Sequence, residues 1–355
     1  MTYIKNNQFN RIEGLDIIRT VAILCVLFLH GVPPDFQEIE YVNNLSGFSR
    51  LFHFFCFSIG RQSVPLFLCL SGYLLLSRDY NEEQTRKFYR YNFLSLLLTW
   101  EAWIPIYNWA MSWYNDIPLN WSMILKNMLF LESTNIFHGW YMEVILGIYL
   151  FIPYLSRVLH TMNYREILPL MLISYLFFFI VPTMYHLKAN PAQWNSCLDL
   201  SFSGGMYAFY LILGFIIKQY DRQITLSIKK WSIPVILISI TATTEVQMWA
   251  SLKQVYHIWY DFCLLPISSI FIFIYLKDLK CQILHNLITK ISTCAFGIYL
   301  THVLLVIFIL KYHLLNFIVV DELRVIIFAL IMFVLSFILV ILLKKLPYVG
   351  KILVR

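Results

Sequence analysis

Long apolar runs separated by short polar segments recur from Leu15 almost to the end of the chain. A helix needs about 20 apolar residues to cross the hydrocarbon core of a bilayer. Dividing the pattern at its charged and Pro- or Asn-rich breaks therefore predicts an all-α polytopic bundle of about ten transmembrane helices in one membrane domain, 1–355. The spans are expected near 15–32, 52–76, 91–113, 141–160, 167–185, 202–218, 231–250, 257–276, 292–311 and 323–343.

The composition supports this interpretation. Of the 355 residues, 59% are hydrophobic and only 13% are charged, and the mean hydropathy of +0.68 lies far outside the range of soluble proteins. The seven cysteines lie mostly inside apolar runs and never form a CxxC pair, so neither a disulfide framework nor a zinc site is expected. The segment 114–139 is rich in Trp, Asn and Tyr and is expected to lie along the membrane interface.

Basic residues alternate between the two sets of loops. One set, which includes both termini, carries 19 Lys and Arg residues, and the other carries six. The positive-inside rule therefore predicts that both termini are cytoplasmic. The net charge of +7 then describes loops that face cytosol and anionic lipid, and no nucleic-acid partner is expected.

Several ionisable residues fall inside the predicted spans. An ionisable group in hydrocarbon is costly unless it is paired or hydrated, so such residues usually face the bundle interior or a water-filled cavity. We expect this of the following residues: Asp16, Arg19, His30, Arg61, Glu101, Glu143, Glu245, Asp261 and His302.

Arg19 and His30 share one stripe of the first helix. Their eleven steps correspond to about 16 Å along the axis and a rotation of only about 20° away from a common face. Asp16, one turn before Arg19, is placed to pair with it. On this helix alone, two interpretations are equally supported. The stripe lines a path across the membrane, or Arg19 is a snorkelling anchor and His30 an interfacial residue at the helix end.

In the second span, Arg61 is deep enough to require a partner. Either a structural ion pair with Glu143 or Glu245 or contact with a substrate explains it. Ser71, which precedes a glycine in the same span, permits close approach of a neighbouring helix or a ligand.

Two further candidates lie in later spans. His302 follows Tyr299 by one turn, which suits a proton relay or a substrate contact as well as a hydrogen-bonded core histidine. Glu143 is expected at a depth similar to that of His30, where its carboxylate would orient that imidazole.

In "RIEGLDIIRTVAILCVLFLH" a basic residue and a His enclose ten residues. This stretch resembles the first helix of the acyltransferase 3 family of integral membrane O-acyltransferases. "GRQSVPLFLCLSGYLLL", "RKFYRY", "HGWYMEVILGIYLFIP" and "STCAFGIYLTHVLLV" follow in the family's order. The match is closest to compact members without an attached hydrolase-like domain, and the Val-Pro motif is similar to the enterobacterial common antigen O-acetyltransferase type.

This resemblance implies transfer of an acyl group, usually acetyl, from cytoplasmic acetyl-CoA or another acyl-CoA to a hydroxyl of a cell-surface or lipid-linked glycan. The protein would be a multi-pass protein of the bacterial inner membrane, surrounded by lipid. His30 suits the base or the acyl carrier, with Glu143 and His302 as further catalytic candidates. Arg19, Lys87 and Arg90 suit the donor phosphates, although Lys87 stands where the family commonly has an arginine and offers only a point charge.

A different class of protein fits the same composition. A polytopic transporter or glycan exporter would use the buried charges as a proton or substrate path. The ordered set of motifs favours the enzyme.

Overall fold

A computed structural model describes residues 11–33, 36, 38–134, 136, 138–188, 204–221, 227–253, 259–315 and 317–354. These residues form helices and connecting turns, and no strand occurs within the ranges described. The all-α bundle expected from the apolar pattern is therefore confirmed.

Thirteen helices are numbered here in chain order within the described ranges. They are α1 (Glu13–Gly31), α2 (Ile39–Asn44), α3 (Gly47–Leu76), α4 (82–115), α5 (Trp121–Met128), α6 (Trp140–Thr161), α7 (Tyr164–Leu187), α8 (Gly205–Gln219), α9 (Ser232–Lys253), α10 (Leu264–Leu276), α11 (His285–Lys311), α12 (Asp321–Lys345) and α13 (Val349–Leu353). Each of the ten predicted spans overlaps one helix. Several helices begin earlier than expected because polar residues extend them beyond the apolar run, whereas α10 begins at Leu264, after turns at 259–263. The first residues of two predicted spans, 202–203 and 257–258, lie outside the described residues.

Seven of the described helices are long and apolar enough to cross a membrane, namely α1, α3, α6, α7, α9 with its preceding turn, α11 and α12. The helices α8 and α10 are apolar but have only 15 and 13 residues. Helix α4 is long, but charged residues interrupt its first turns. The structure thus supports a multi-pass membrane protein, and the count of ten crossings stays a prediction.

Helix α1 occupies the centre of the bundle. It packs against α3, α11 and α12, and residues such as Ile18, Ala22 and Ile23 are fully buried. A helix that is apolar around most of its circumference is stable only when other helices or lipid surround it. The polar residues of α1 are consequently held inside the bundle.

Two glycines bring α3 and α8 into backbone contact. A Cβ atom on Gly72 would lie 1.8 Å from the carbonyl oxygen of Leu211, and one on Gly214 would lie 1.9 Å from that of Cys69. Small residues permit this approach in membrane bundles, where packing rather than hydrophobicity drives helix association. The neighbour anticipated beside Ser71 is therefore helix α8.

The short helix α5 has one exposed apolar face. Trp121 and Leu125 are largely exposed, while Ile124 and Asn127 on the other side are buried. This arrangement suits a helix that lies in the membrane interface.

Reporter fusions test the predicted orientation. A reporter that is active only in the cytoplasm should work when fused after Lys230 or Arg355, because basic loops are retained on the cytoplasmic side. The same reporter should be inactive within 116–132. The reverse pattern would contradict the prediction that both termini are cytoplasmic.

Candidate active site

A cavity of about 560 Å³ lies at the end of α1 that carries His30. Helices α1, α3, α6, α11 and α12 contribute to its wall, and its described lining includes His30, Arg61, His138, Trp140 and Tyr299. Its volume lies within the ~300–1,000 Å³ typical of small-molecule sites. Apolar rings with a few convergent polar groups are also typical of such sites.

Three imidazoles from separate parts of the chain meet beside this cavity. The ring centroids of His30 and His302 are 5.1 Å apart, and those of His138 and His302 are also 5.1 Å apart. His30 is half-buried and lines the cavity, whereas His302 is fully buried behind it. The structure therefore brings the two sequence-predicted histidines together and adds a third.

Backbone contacts fix the tautomer of His302. Its Nδ1 lies 2.7 Å from the carbonyl oxygen of Tyr299 and 3.2 Å from that of Ile298. Carbonyl oxygens only accept, so Nδ1 must donate, and in the neutral ring Nε2 carries the lone pair. Nε2 has no hydrogen-bond partner among the described residues, so it is available to a group that enters the cluster.

Tyr299 holds His138 in place. Its hydroxyl donates to the His138 carbonyl oxygen at 2.6 Å, and the centroids of the two rings are 5.0 Å apart. Burial lowers the pKa of His138, in the loop before α6, well below its usual range, and the neighbouring His302 and His30 add to this effect. The imidazole is therefore neutral near pH 7.

Glu143 has partners other than the expected His30. Its carboxylate accepts hydrogen bonds from the Ser133 hydroxyl at 3.0 Å and from the amide and hydroxyl of Thr134, each at 2.9 Å. Glu143 lies in the first turn of α6, where backbone amides attract a carboxylate. It thus ties the loop that carries His138 to the first turn of α6.

Aromatic rings, rather than Glu143 or Glu245, surround Arg61. Its Cζ atom lies 4.5 Å from the ring centroid of Phe57, 4.2 Å from that of Trp259 and 5.0 Å from that of Tyr260. Arg61 takes part in no ion pair within the described ranges, although it is only 7% exposed. Of the two alternatives left open for Arg61, the structural ion pair with Glu143 or Glu245 is not formed, because the facing segment offers rings.

Arg19 and Asp16 form the ion pair expected from the sequence. Arg19 Nη1 donates to Asp16 Oδ1 at 3.3 Å and to the Ser292 hydroxyl at 2.8 Å, and that hydroxyl donates to Asp16 Oδ1 at 2.6 Å. Arg11 also pairs with Asp16. These contacts use one Arg19 nitrogen, and 30% of the side chain is exposed, so the guanidinium retains donors for a ligand.

The other two donor-binding candidates are exposed on α4. Lys87 pairs with Glu83 at 2.5 Å, and the Cζ atom of Arg90 lies 5.4 Å from the Tyr91 ring centroid. Neither residue belongs to the cavity lining that contains His30. Ser71, half-buried on α3, is likewise separate from that lining.

His138 is not among the site residues predicted from the sequence. It precedes α6 by two residues, outside any apolar run, so the rule that singles out ionisable groups within spans passes over it. Its position in "HGWYMEV", directly before a motif of the family, was the available signal. Despite the three imidazoles, no group of three or more His, Cys, Asp or Glu side chains in the described structure is arranged to hold a metal ion.

The chain is a multi-pass membrane protein whose helical bundle contains a cavity lined by apolar side chains and a few polar groups. A family model described as an acyltransferase domain, that of the acyltransferase 3 family, matches residues 12–345. The chain therefore belongs to this family and is an acyltransferase. No curated protein and no solved structure matches it. The similarity to the enterobacterial common antigen type stays a prediction from the second-helix motif.

Proposed function

We propose that this protein transfers an acetyl group from acetyl-CoA to a hydroxyl of a cell-surface or lipid-linked glycan at the bacterial inner membrane. The observation that carries the proposal is the meeting of His30, His138 and His302 beside a cavity. His30 lies on the helix that also presents Arg19. Family membership favours this reaction over a transporter.

His30 supplies the basic nitrogen. Acting as a base, it takes the proton of the acceptor hydroxyl while the oxygen attacks the thioester carbonyl, and the CoA thiolate leaves and recovers a proton. Acting instead as an acyl carrier, it attacks the thioester carbonyl to form an acyl-imidazole, and the CoA thiolate leaves with the ring proton. The acceptor hydroxyl then attacks this acyl group, the ester forms, and the released imidazole takes up the hydroxyl proton. His302 lies directly behind His30, and its Nε2 can share the proton in either route.

The donor is proposed to bind at the other end of α1. Arg19, oriented by Asp16, faces phosphate groups there, and Lys87 and Arg90 supply further positive charge. The helix α1 is continuous over Glu13–Gly31, so the separation of about 16 Å along its axis holds. The long arm of CoA spans such distances between its nucleotide and its thioester, which suits donor and acceptor sites at opposite ends.

A comparison of surface glycans tests the proposal. Mass spectrometry compares the glycans of a strain that has the gene with those of its deletion derivative. Glycan units that are heavier by one acetyl group should occur only in the strain that has the gene. Detection of succinyl or another acyl group instead of acetyl would show that the donor is a different acyl-CoA. Identical glycans would contradict the proposed function.

Replacement of Arg19 separates donor binding from membrane anchoring. We expect Arg19→Ala to raise KM for acetyl-CoA about tenfold or more, because a charge-assisted contact to phosphate is lost. Arg19→Lys should retain part of the affinity, since a point charge still attracts phosphate. Kinetics at matched protein levels measure this, and an unchanged KM in Arg19→Ala would assign the residue to anchoring.

A further inference from the structure

The cavity presents a row of three different side chains from α3. His53, Phe57 and Arg61 follow one another at intervals of four residues, so they form a stripe on one helix face, and all three line the cavity. Four residues rise by about 6 Å in a helix. The stripe therefore offers a polar ring, an apolar ring and a cation over about 12 Å.

His53 is held with one nitrogen directed away from its helix. Its Nδ1 lies 2.7 Å from the Ser49 carbonyl oxygen and must donate to it, so that Nε2 carries the lone pair in the neutral ring. The residue is fully buried, and Nε2 has no partner among the described residues. A buried polar atom without a partner is costly, which indicates that a ligand satisfies it.

Two serine hydroxyls hold the start of α3, which carries His53. The Ser46 hydroxyl caps α3 by accepting the Ser49 amide at 3.1 Å, and the Ser49 hydroxyl donates to Glu322 of α12. Tyr41 packs edge-on against the His53 ring with centroids 6.2 Å apart. The imidazole is consequently preorganised for a hydroxyl group.

The charge of the cavity wall is positive. Its described lining contains two guanidinium groups and one carboxylate, a net charge of +1 when the histidines are neutral. Arg324 pairs with Asp321 at 3.3 Å and donates twice to the Ile318 carbonyl oxygen, so that pair is balanced. Among the described residues, the guanidinium of Arg61 contacts ring faces and forms no ion pair, and its Nε has no hydrogen-bond partner.

We propose that the cavity binds a saccharide unit that carries an anionic group, with a hydroxyl at His53, the sugar face on Phe57 and the anion at Arg61. A buried guanidinium surrounded by rings gains most from a carboxylate or phosphate, which replaces lost hydration with charge-assisted bonds. This inference rests on the proposed function and specifies its acceptor as an acidic sugar or a sugar phosphate.

Binding without any donor tests the inference. Isothermal titration calorimetry on the purified full chain in lipid nanodiscs compares methyl glucoside, methyl glucuronide and glucose 6-phosphate. The wild-type protein should bind at least one of the two anionic sugars at least tenfold more tightly than the neutral one. The stronger of the two identifies whether the anion is a carboxylate or a phosphate.

Variants assign the effect to residues. Arg61→Gln should abolish the preference, Arg61→Lys should keep part of it, and His53→Phe should weaken all the sugars about tenfold while the preference persists. Arg165→Gln, at an exposed arginine on α7, is the matched control and should bind as the wild type does. Thermal melting verifies that each variant is folded.

Equal affinity for neutral and anionic sugars, no binding of any sugar, or a preference that survives Arg61→Gln would each overturn the inference. The assay contains no acyl donor, so its result is independent of acyl transfer. If the protein prefers anionic sugars but transfers no acetyl group, the proposed function is refuted. The inference that the cavity binds an anionic sugar is then still supported.

Discussion

Substitution of His30 by Gln is expected to lower glycan acetylation by a factor of about 10²–10⁴. Gln keeps a polar group that can form hydrogen bonds, but it neither takes up a proton near pH 7 nor carries an acyl group. His30 is half-buried at the cavity wall, so the exchange removes little packing. The measurement is labelled product per unit of folded protein in membranes supplied with labelled acetyl-CoA.

A matched variant separates this effect from a general cost of losing an imidazole. His285, at the start of α11, has a half-exposed side chain that lies 3.4 Å from Glu13 and outside the cavity lining. His285→Gln should therefore transfer acetyl at nearly the wild-type rate. Near-normal turnover in His30→Gln would make His30 a structural hydrogen-bonding residue and would remove it from the mechanism.

The second large effect is on folding. Gly72→Ala should markedly reduce the amount of folded protein, because the new Cβ atom would lie 1.8 Å from a carbonyl oxygen of α8 and neither backbone can yield easily. Overpacking of this kind costs ~1–3 kcal/mol and occasionally more, a large part of the stability of a typical protein. Thermal melting in detergent, followed by size-exclusion chromatography, measures the loss.

Gly147→Ala is a control variant in which the melting temperature is not expected to fall. A Cβ atom on Gly147 of α6 would meet no atom within 4 Å, and alanine is the better helix former. Gly147→Ala should leave the melting temperature unchanged or raise it slightly. Equal losses in the two variants would show that α3 and α8 are not in backbone contact.

The sequence predicted the features that follow from hydropathy and from the spacing of residues on one helix. Apolar runs located ten of the thirteen helices numbered above, because exclusion from water acts on each segment independently. The pairing of Asp16 with Arg19 followed from their separation by one turn, and the structure confirms it. Predictions of this kind need no knowledge of the neighbouring helices.

Contacts between segments that are distant in sequence were harder to predict. Two of the three rings around Arg61 come from 259–260, nearly 200 residues away, and nothing in its own helix predicts that this distant segment offers rings and not a carboxylate. For Glu143, a loop amide and two hydroxyls compete better than an imidazole across the bundle, since they lie within ten residues. His138 lies in a loop, and the hydropathy pattern does not predict the position of a loop residue relative to the bundle.

The most direct test of the account is transfer of labelled acetyl from acetyl-CoA to lipid-linked glycan in isolated membranes. Membranes that contain the protein should incorporate label into the glycan fraction in a way that depends on added acetyl-CoA, and mild alkali should release the label because it is held as an ester. Membranes from the deletion strain should incorporate none through this route. Equal incorporation in the two preparations would contradict the claim that this chain is a membrane O-acetyltransferase.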